Sequence, residues 1–184
     1  KIHTQGDMIT TDNALDLMIQ GEGFFEILMP DGSSAYSRNG QFTMDEEGTM
    51  VTPGAGYLVQ PQVTIPEDAL SIIVSQDGEV SVTLQGQADP AVVGQINLIN
   101  FVNPTGLEPI GQNLFTETAV SGAPQEGVPG LEGYGMLVQG ALETSNVNTT
   151  EELVNLIESQ RVYEMNSKVI SAVDQMLSYI NQQL

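Results

Sequence analysis

The 184-residue chain contains no cysteine and no tryptophan. Without thiols it has no disulfide, no thiolate metal site and no cysteine nucleophile. That absence fits an oxidising compartment or passage through an export channel, and selects neither. Cations are almost missing: four Lys and Arg stand against 24 Asp and Glu, a formal net charge of −20. Nucleic-acid binding needs Lys and Arg to displace counterions, and adsorption on an anionic membrane needs the same charges, so neither is expected as a partner. The single histidine, His3, leaves little for acid–base or zinc chemistry. No apolar run reaches the roughly 18 residues of a membrane span, so no membrane insertion is expected. No secretory signal pattern is visible. The chain opens on Lys1 rather than Met, which reads as a fragment or a processed chain.

What is present is 40% apolar residues, enough for a core, and only 15% charged residues, so the surface is largely amide, hydroxyl and glycine. Two regimes follow one another. Up to about residue 143 the chain is rich in Gly and Pro; beyond it neither occurs. The first regime reads as short strands at 24–28, 35–38, 41–44, 49–52, 57–60, 71–75, 79–84, 95–102, 114–118 and 136–142. Asn39-Gly40 is a hairpin signal, and Gln76-Asp77-Gly78 joins another pair. Val80, Val82 and Leu84 alternate with Ser81 and Thr83, the pattern of a half-buried strand. Residues 121–135 hold five Gly and two Pro and read as a loop.

The second regime predicts one helix from Thr149 to Gln182. Thr149 and Glu152 have capping-box spacing, and Glu151 and Glu152 suit the positive end of the helix dipole. Roughly 34 residues span about 50 Å. Two seams run along it. Val162, Met165, Val169, Ala172, Met176 and Tyr179 form one. Leu153, Leu156, Gln160, Tyr163, Ser167, Ile170, Asp174 and Leu177 form the other, diluted by polar members. Two seams about 100° apart suit more than one neighbour; a single amphipathic stripe lying on the β domain is the plainer alternative. The length of the helix, with no second long helix to serve as its partner, favours helix–helix association. The expected fold is therefore mainly β with a long C-terminal α-helix: an antiparallel meander or hairpin domain plus an extended helix of coiled-coil type.

Catalytic and metal motifs are weak. Asp45-Glu46-Glu47-Gly48 lacks the alternating oxygen ligands and distal Glu of a calcium loop, and reads as a solvated turn. Gly21-Glu22-Gly23 lacks the third glycine of a dinucleotide loop. The acids show no pairing that marks a carboxylate dyad. Arg38, Arg161 and Lys168 stand out because cations are so rare. Arg161 is three residues from both Glu158 and Glu164, so intrahelical pairing is the plain reading; contact with acids on neighbouring molecules is the sharper one.

Several blocks together resemble the bacterial flagellar rod and hook axial proteins. Gln5-Gly6, Thr11-Asp12-Asn13-Ala14-Leu15-Asp16-Leu17 and Gly21-Glu22-Gly23-Phe24-Phe25 are similar to that family's first block. Tyr36-Ser37-Arg38-Asn39-Gly40-Gln41-Phe42 and residues 48–52 are similar to the next. Ser145-Asn146-Val147-Asn148, Glu151 to Asn155, Gln160 to Glu164, Asn166 to Ile170 and Asp174 to Leu177 resemble its C-terminal signature. Gly106-Leu107-Glu108-Pro109-Ile110-Gly111-Gln112-Asn113-Leu114-Phe115 resembles the distal-rod members. The family's N-terminal helical segment has no counterpart before Lys1.

The resemblance implies a structural subunit with no enzymatic activity, no cofactor and no metal. It implies a helical tube crossing the periplasm, exported through the flagellum's type III apparatus and carrying torque from motor to hook. The expected partners are copies of the chain, proximal rod and hook proteins, and the basal-body rings. The expected organisation is a lead-in segment at 1–20, a β domain at 21–143 and an assembly helix at 144–184. The residues expected to carry self-assembly are Leu153, Leu156, Arg161, Val162, Tyr163, Met165, Lys168, Val169, Ile170, Ala172, Val173, Met176, Leu177 and Ile180. Competing readings are a proximal rod protein, a secreted acidic β module binding calcium or another ligand, and a hydrolase using two of the many acids.

The charge yields one expectation. Like-charged subunits repel, and salt weakens that repulsion. Light scattering of the complete protein should therefore show assembly rising with ionic strength; strongest assembly at the lowest salt would contradict this.

Overall fold

The computed structural model describes residues 4–86 and 89–182, with the side chains of 177 and 179–182 outside the description; His3 falls outside it too. The chain divides into two compact units, Lys1–Thr144 and Ser145–Leu184.

Among the described residues, the first unit carries sixteen short strands: β1 (Met8–Thr10), β2 (Leu17–Gln20), β3 (Phe25–Leu28), β4 (Ser34–Ser37), β5 (Thr43–Met44), β6 (Met50–Val51), β7 (Leu58–Gln60), β8 (Ala69–Val74), β9 (Glu79–Leu84), β10 (Ala91–Gln95), β11 (Leu98–Asn100), β12 (Glu108–Gly111), β13 (Leu114–Thr116), β14 (Gln125–Gly127), β15 (Met136–Gln139) and β16 (Ala141–Glu143). All described pairings between these strands are antiparallel. A seven-stranded sheet has the order β12-β13-β4-β3-β7-β6-β5, a three-stranded sheet the order β10-β9-β8, and three two-stranded ribbons pair β1 with β16, β2 with β15 and β11 with β14. The mainly antiparallel β architecture with one C-terminal helix is the expected fold class.

Strand alternation builds two cores from one run. Phe25 and Ile27 point into the main core with Leu17, Ile19, Phe42, Val59, Val80, Val82 and Leu137. Phe24 points the other way, into a smaller cluster with Tyr36, Ile99, Phe101 and Leu107. Phe25 meets Phe42 edge to face at 5.1 Å, and Tyr36 meets Phe101 at 4.8 Å. The β3–β4 turn is held by Asp31, whose Oδ1 accepts from the Ser33 hydroxyl at 2.6 Å and the Ser33 N–H at 3.0 Å. These bonds hold the Asp31 carboxyl below its usual range.

Several local expectations are corrected. Asn39-Gly40 is not a hairpin turn: β4 pairs with β3 and β13, and the Gly40 carbonyl instead accepts the Leu17 N–H at 2.9 Å. Gly40 is required by close approach, since a Cβ there would overlap the Leu17 carbonyl. The run at 95–102 breaks into the end of β10 and β11, and that at 136–142 breaks at Gly140, whose φ is +73°. The 121–135 loop carries β14. β1, β2 and most of β10 lie in segments with no alternation to read.

The second unit holds α1 (Thr149–Gln182). Its cap is Asn148, not Thr149: Asn148 Oδ1 accepts from the Thr150 N–H at 3.1 Å and the Glu151 N–H at 3.4 Å, and the Asn148 carbonyl accepts the Glu152 N–H. Thr149 is the first helical residue, so the cap lies one position earlier than the spacing placed it.

Burial and the negative charges of Glu117 and Glu26 push the Tyr36 phenol from 10 up to about 12. The unfolded chain loses this proton first, so stability falls as pH rises from 10 to 12. Tyr36→Phe should remove that part of the alkaline loss in thermal melts, and abolish a phenol titrating near 12 in tyrosine absorbance. An unchanged titration curve in the variant would contradict the assignment.

Candidate assembly surface

Each unit carries one feature of note: the second a long exposed helix, the first a knot of chain around Arg38 and Glu143. The knot is built around Arg38, which follows β4. Its Nε donates to Glu143 Oε2 at 2.8 Å, its Nη2 to the Gly21 carbonyl at 2.6 Å and its Nη1 to the Gly23 carbonyl at 3.1 Å. The other Glu143 oxygen accepts the Gly6 N–H at 2.8 Å. One guanidinium thus joins the end of β4, the Gly21–Gly23 turn, the lead-in chain and β16. Only Gly suits the turn. Gly21 has φ +119°, and a Cβ there would lie 2.8 Å from the Gly135 Cα.

The lead-in blocks act locally. Asp16 is buried and accepts from the Thr11 hydroxyl at 2.6 Å and the Asn13 amide at 3.1 Å. Gln5 donates to the Ile19 carbonyl and accepts from the Gly21 N–H. The Thr144 N–H and hydroxyl both donate to the Asp7 carbonyl. The lead-in and the exit toward α1 therefore run side by side, zipped through β1 and β16.

Along α1 every described side chain from Leu153 to Met176 is exposed. Of the expected assembly residues, Leu153 (60%), Tyr163 (77%), Val169 (61%) and Met176 (66%) typify the exposure; Leu156, Val162, Met165, Ile170 and Val173 are exposed as well. Arg161, Lys168 and Ala172 are exposed. The side chains of Leu177 and Ile180 lie outside the described residues. Val154 and Ile157, outside the expected set, are exposed apolar residues as well. The seam spacing missed them because they fill the groove between its rows.

At 100° per residue, Leu153, Leu156 and Ile157 centre on one side of α1, while Val162, Met165, Val169, Val173 and Met176 centre roughly 160° away. The apolar side therefore changes near Gln160. Arg161 and Lys168, seven residues apart, lie on one stripe. The intrahelical pairing of Arg161 with Glu158 or Glu164 does not form: among the described residues the Arg38–Glu143 contact is the sole ion pair. No second long helix is present among the described residues, so the coiled-coil character of α1 belongs to the proposal below. No described helix is long and apolar enough to cross a membrane, and among the described residues no group of three or more His, Asp or Glu is placed to hold a metal ion.

Residues 18–82 match the family model described as Flagellar hook protein FlgE/F/G D1 domain, and residues 138–183 match Flagellar basal body rod FlgEFG protein C-terminal. This places the chain among the flagellar axial proteins. The relatives narrow the class. The flagellar basal-body rod protein FlgG of Buchnera aphidicola (subsp. Acyrthosiphon pisum) is 51% identical over 99% of this chain and 70% of that protein. FlgG of Caulobacter vibrioides is 52% identical over 99% of this chain and 69% of that protein. The flagellar hook protein FlgE of Salmonella typhimurium is 40% identical over 61% of this chain and 28% of that protein. The chain belongs to the flagellar basal-body rod protein FlgG family, and is a structural subunit of the bacterial flagellar rod. The proximal-rod and secreted-module readings gain no support from these matches.

Arg38 and Glu143 are both largely buried, so removing one leaves the other unpaired. Arg38→Ala should cost about 2–4 kcal/mol in urea unfolding. Arg38→Lys should recover only part, because an ammonium lacks the planar fork. An unchanged midpoint in Arg38→Ala would contradict the role given to the fork.

Proposed function

We propose that this chain is a non-enzymatic subunit of the flagellar distal rod, a self-assembling helical tube that crosses the periplasm and carries torque from motor to hook. The exposed α1 is the adhesive surface, and Leu153, Leu156, Val162, Met165, Val169 and Met176 are its principal contacts. The observation that carries this reading is the unbroken exposure of apolar side chains from Leu153 to Met176. A helix of this length gains most of its stability from packing an apolar face, not from propensity alone, so its buried state lies in the assembly. Contacts that do not close on themselves generate open filaments, the form a rod requires.

In this reading residues 1–20 lead into the β domain at 21–143, and 144–184 form the assembly arm. Leu177 and Ile180 extend the same surface. Arg161 and Lys168 meet acids of neighbouring copies. Proximal rod proteins, hook proteins and the surrounding basal-body rings are its partners, and the flagellar type III apparatus exports it. No cofactor or metal takes part.

Val169→Asp in the complete protein tests the reading. An exposed substitution changes folding stability by less than about 0.5 kcal/mol, so β-unit melting should stay as in the parent while sedimentable tubes disappear from electron micrographs. Tubes at the parent's yield would contradict it.

A further inference from the structure

A small cavity opens in the β unit between the end of β4, the turn at 52–57 and the tip of the β12–β13 hairpin. Its volume is about 170 Å³, below the roughly 300–1,000 Å³ of sites for drug-sized molecules. The ten described residues that line it are all uncharged, in a chain with 24 acids. Asn39, Gln41 and Gln112 bring three side-chain amides to its wall, and Tyr57 and Pro53 bring two rings. Ser37, also in the lining, is buried and ties two of the walls together: its hydroxyl donates to the Asn113 carbonyl at 3.0 Å and accepts the Asn39 N–H at 3.1 Å. The third wall is closed on itself by Thr52 Oγ1, which accepts the Tyr57 N–H at 3.1 Å.

Two further observations set this cavity apart from an ordinary surface dent. Gln112 has φ +53° and Asn113 φ +60°, the one pair of adjacent non-glycine residues in the left-handed region among the described residues. Asn tolerates that conformation, but for Gln it is strained, and such strain gathers where a side chain must be held in one place. The polar groups so held are also unused by the fold. Asn39 Oδ1 accepts the Gln41 N–H at 3.2 Å. Among the described residues, Asn39 Nδ2, the Gln41 and Gln112 side-chain amides and the Tyr57 hydroxyl have no hydrogen-bond partner.

The lining selects the chemistry of an occupant. No cation is there to hold an anion, and no carboxylate to hold a cation. Three amides, each both donor and acceptor, suit neighbouring hydroxyl groups, which are themselves both. The rings of Tyr57 and Pro53 suit a flat C–H face, and the Tyr57 hydroxyl adds a polar tip. A pyranose ring has that combination: an apolar face, a rim of hydroxyls and no charge. We propose that this cavity is a binding site for one neutral pyranose unit. The site stands apart from α1 and is independent of the rod reading.

The test is a titration of the dispersed complete protein with methyl α-D-glucopyranoside and methyl α-D-galactopyranoside, followed by 1H–15N NMR. At least one glycoside should shift the side-chain amide signals of Asn39, Gln41 and Gln112 saturably. The dissociation constant should be about 1 mM, the affinity that roughly a dozen non-hydrogen atoms provide at ordinary ligand efficiency. Gln112→Gly keeps the turn, because glycine adopts a positive φ freely, and removes only the wall amide. It and Gln41→Ala should each weaken binding about fivefold or more, the loss of one good hydrogen bond, with unchanged thermal melting. Absence of saturable shifts with both glycosides overturns the proposal, as does undiminished binding in both variants. Saturable shifts with N-acetylglycine-N-methylamide but with neither glycoside would overturn it in favour of a peptide group. Each of these outcomes leaves the α1 reading as it stands.

Discussion

The architecture depends on one guanidinium. Arg38 is the only described cation of the β unit, and it is spent on four chain segments at once: the end of β4, the Gly21–Gly23 turn, the lead-in through Glu143 and Gly6, and β16. The fork geometry matters because two carbonyls and a carboxylate converge on it from different directions, which a point charge cannot satisfy together. Glu143 is the last residue of β16, and Thr144 behind it is bonded to Asp7. The chain at Glu143 and Thr144 is therefore tied to the rest of the β unit by several polar bonds. A subunit that carries load from arm to body needs such an anchor at that point.

Charge sets a second constraint. With 24 acids against four bases, like charge opposes contact between copies, and salt weakens that opposition. In the proposed reading, contact between copies falls on the apolar sides of α1. The two sides of α1 lie at different heights and nearly opposite one another, so no single straight partner helix covers both. That arrangement suits a wall in which each arm is flanked by more than one neighbour.

How much of this was legible in the residues differs by element. α1 was readable because nothing after residue 143 breaks a helix, and β9 because Val80, Val82 and Leu84 alternate with Ser81 and Thr83. Asn39-Gly40 misled because turn chemistry is local, whereas the partner of β4 is set by the distant β13. The cap moved from Thr149 to Asn148 because both residue types suit the position and only backbone geometry separates them. Arg38 was noticed for its rarity, but its role required Glu143, 105 positions away, and no spacing rule reaches that far. Val154 and Ile157 were passed over because a seam template counts rows and not the width of an apolar face.

Amide hydrogen exchange along α1, in the dispersed complete protein and in its assembled tubes, tests the central claim most directly. If the helix is a surface made for neighbouring copies, amides from Leu153 to Met176 exchange readily when the protein is dispersed and become strongly protected on assembly, while β3, β7 and β9 keep the same protection in both states. Equal protection of α1 in the two states would contradict the account.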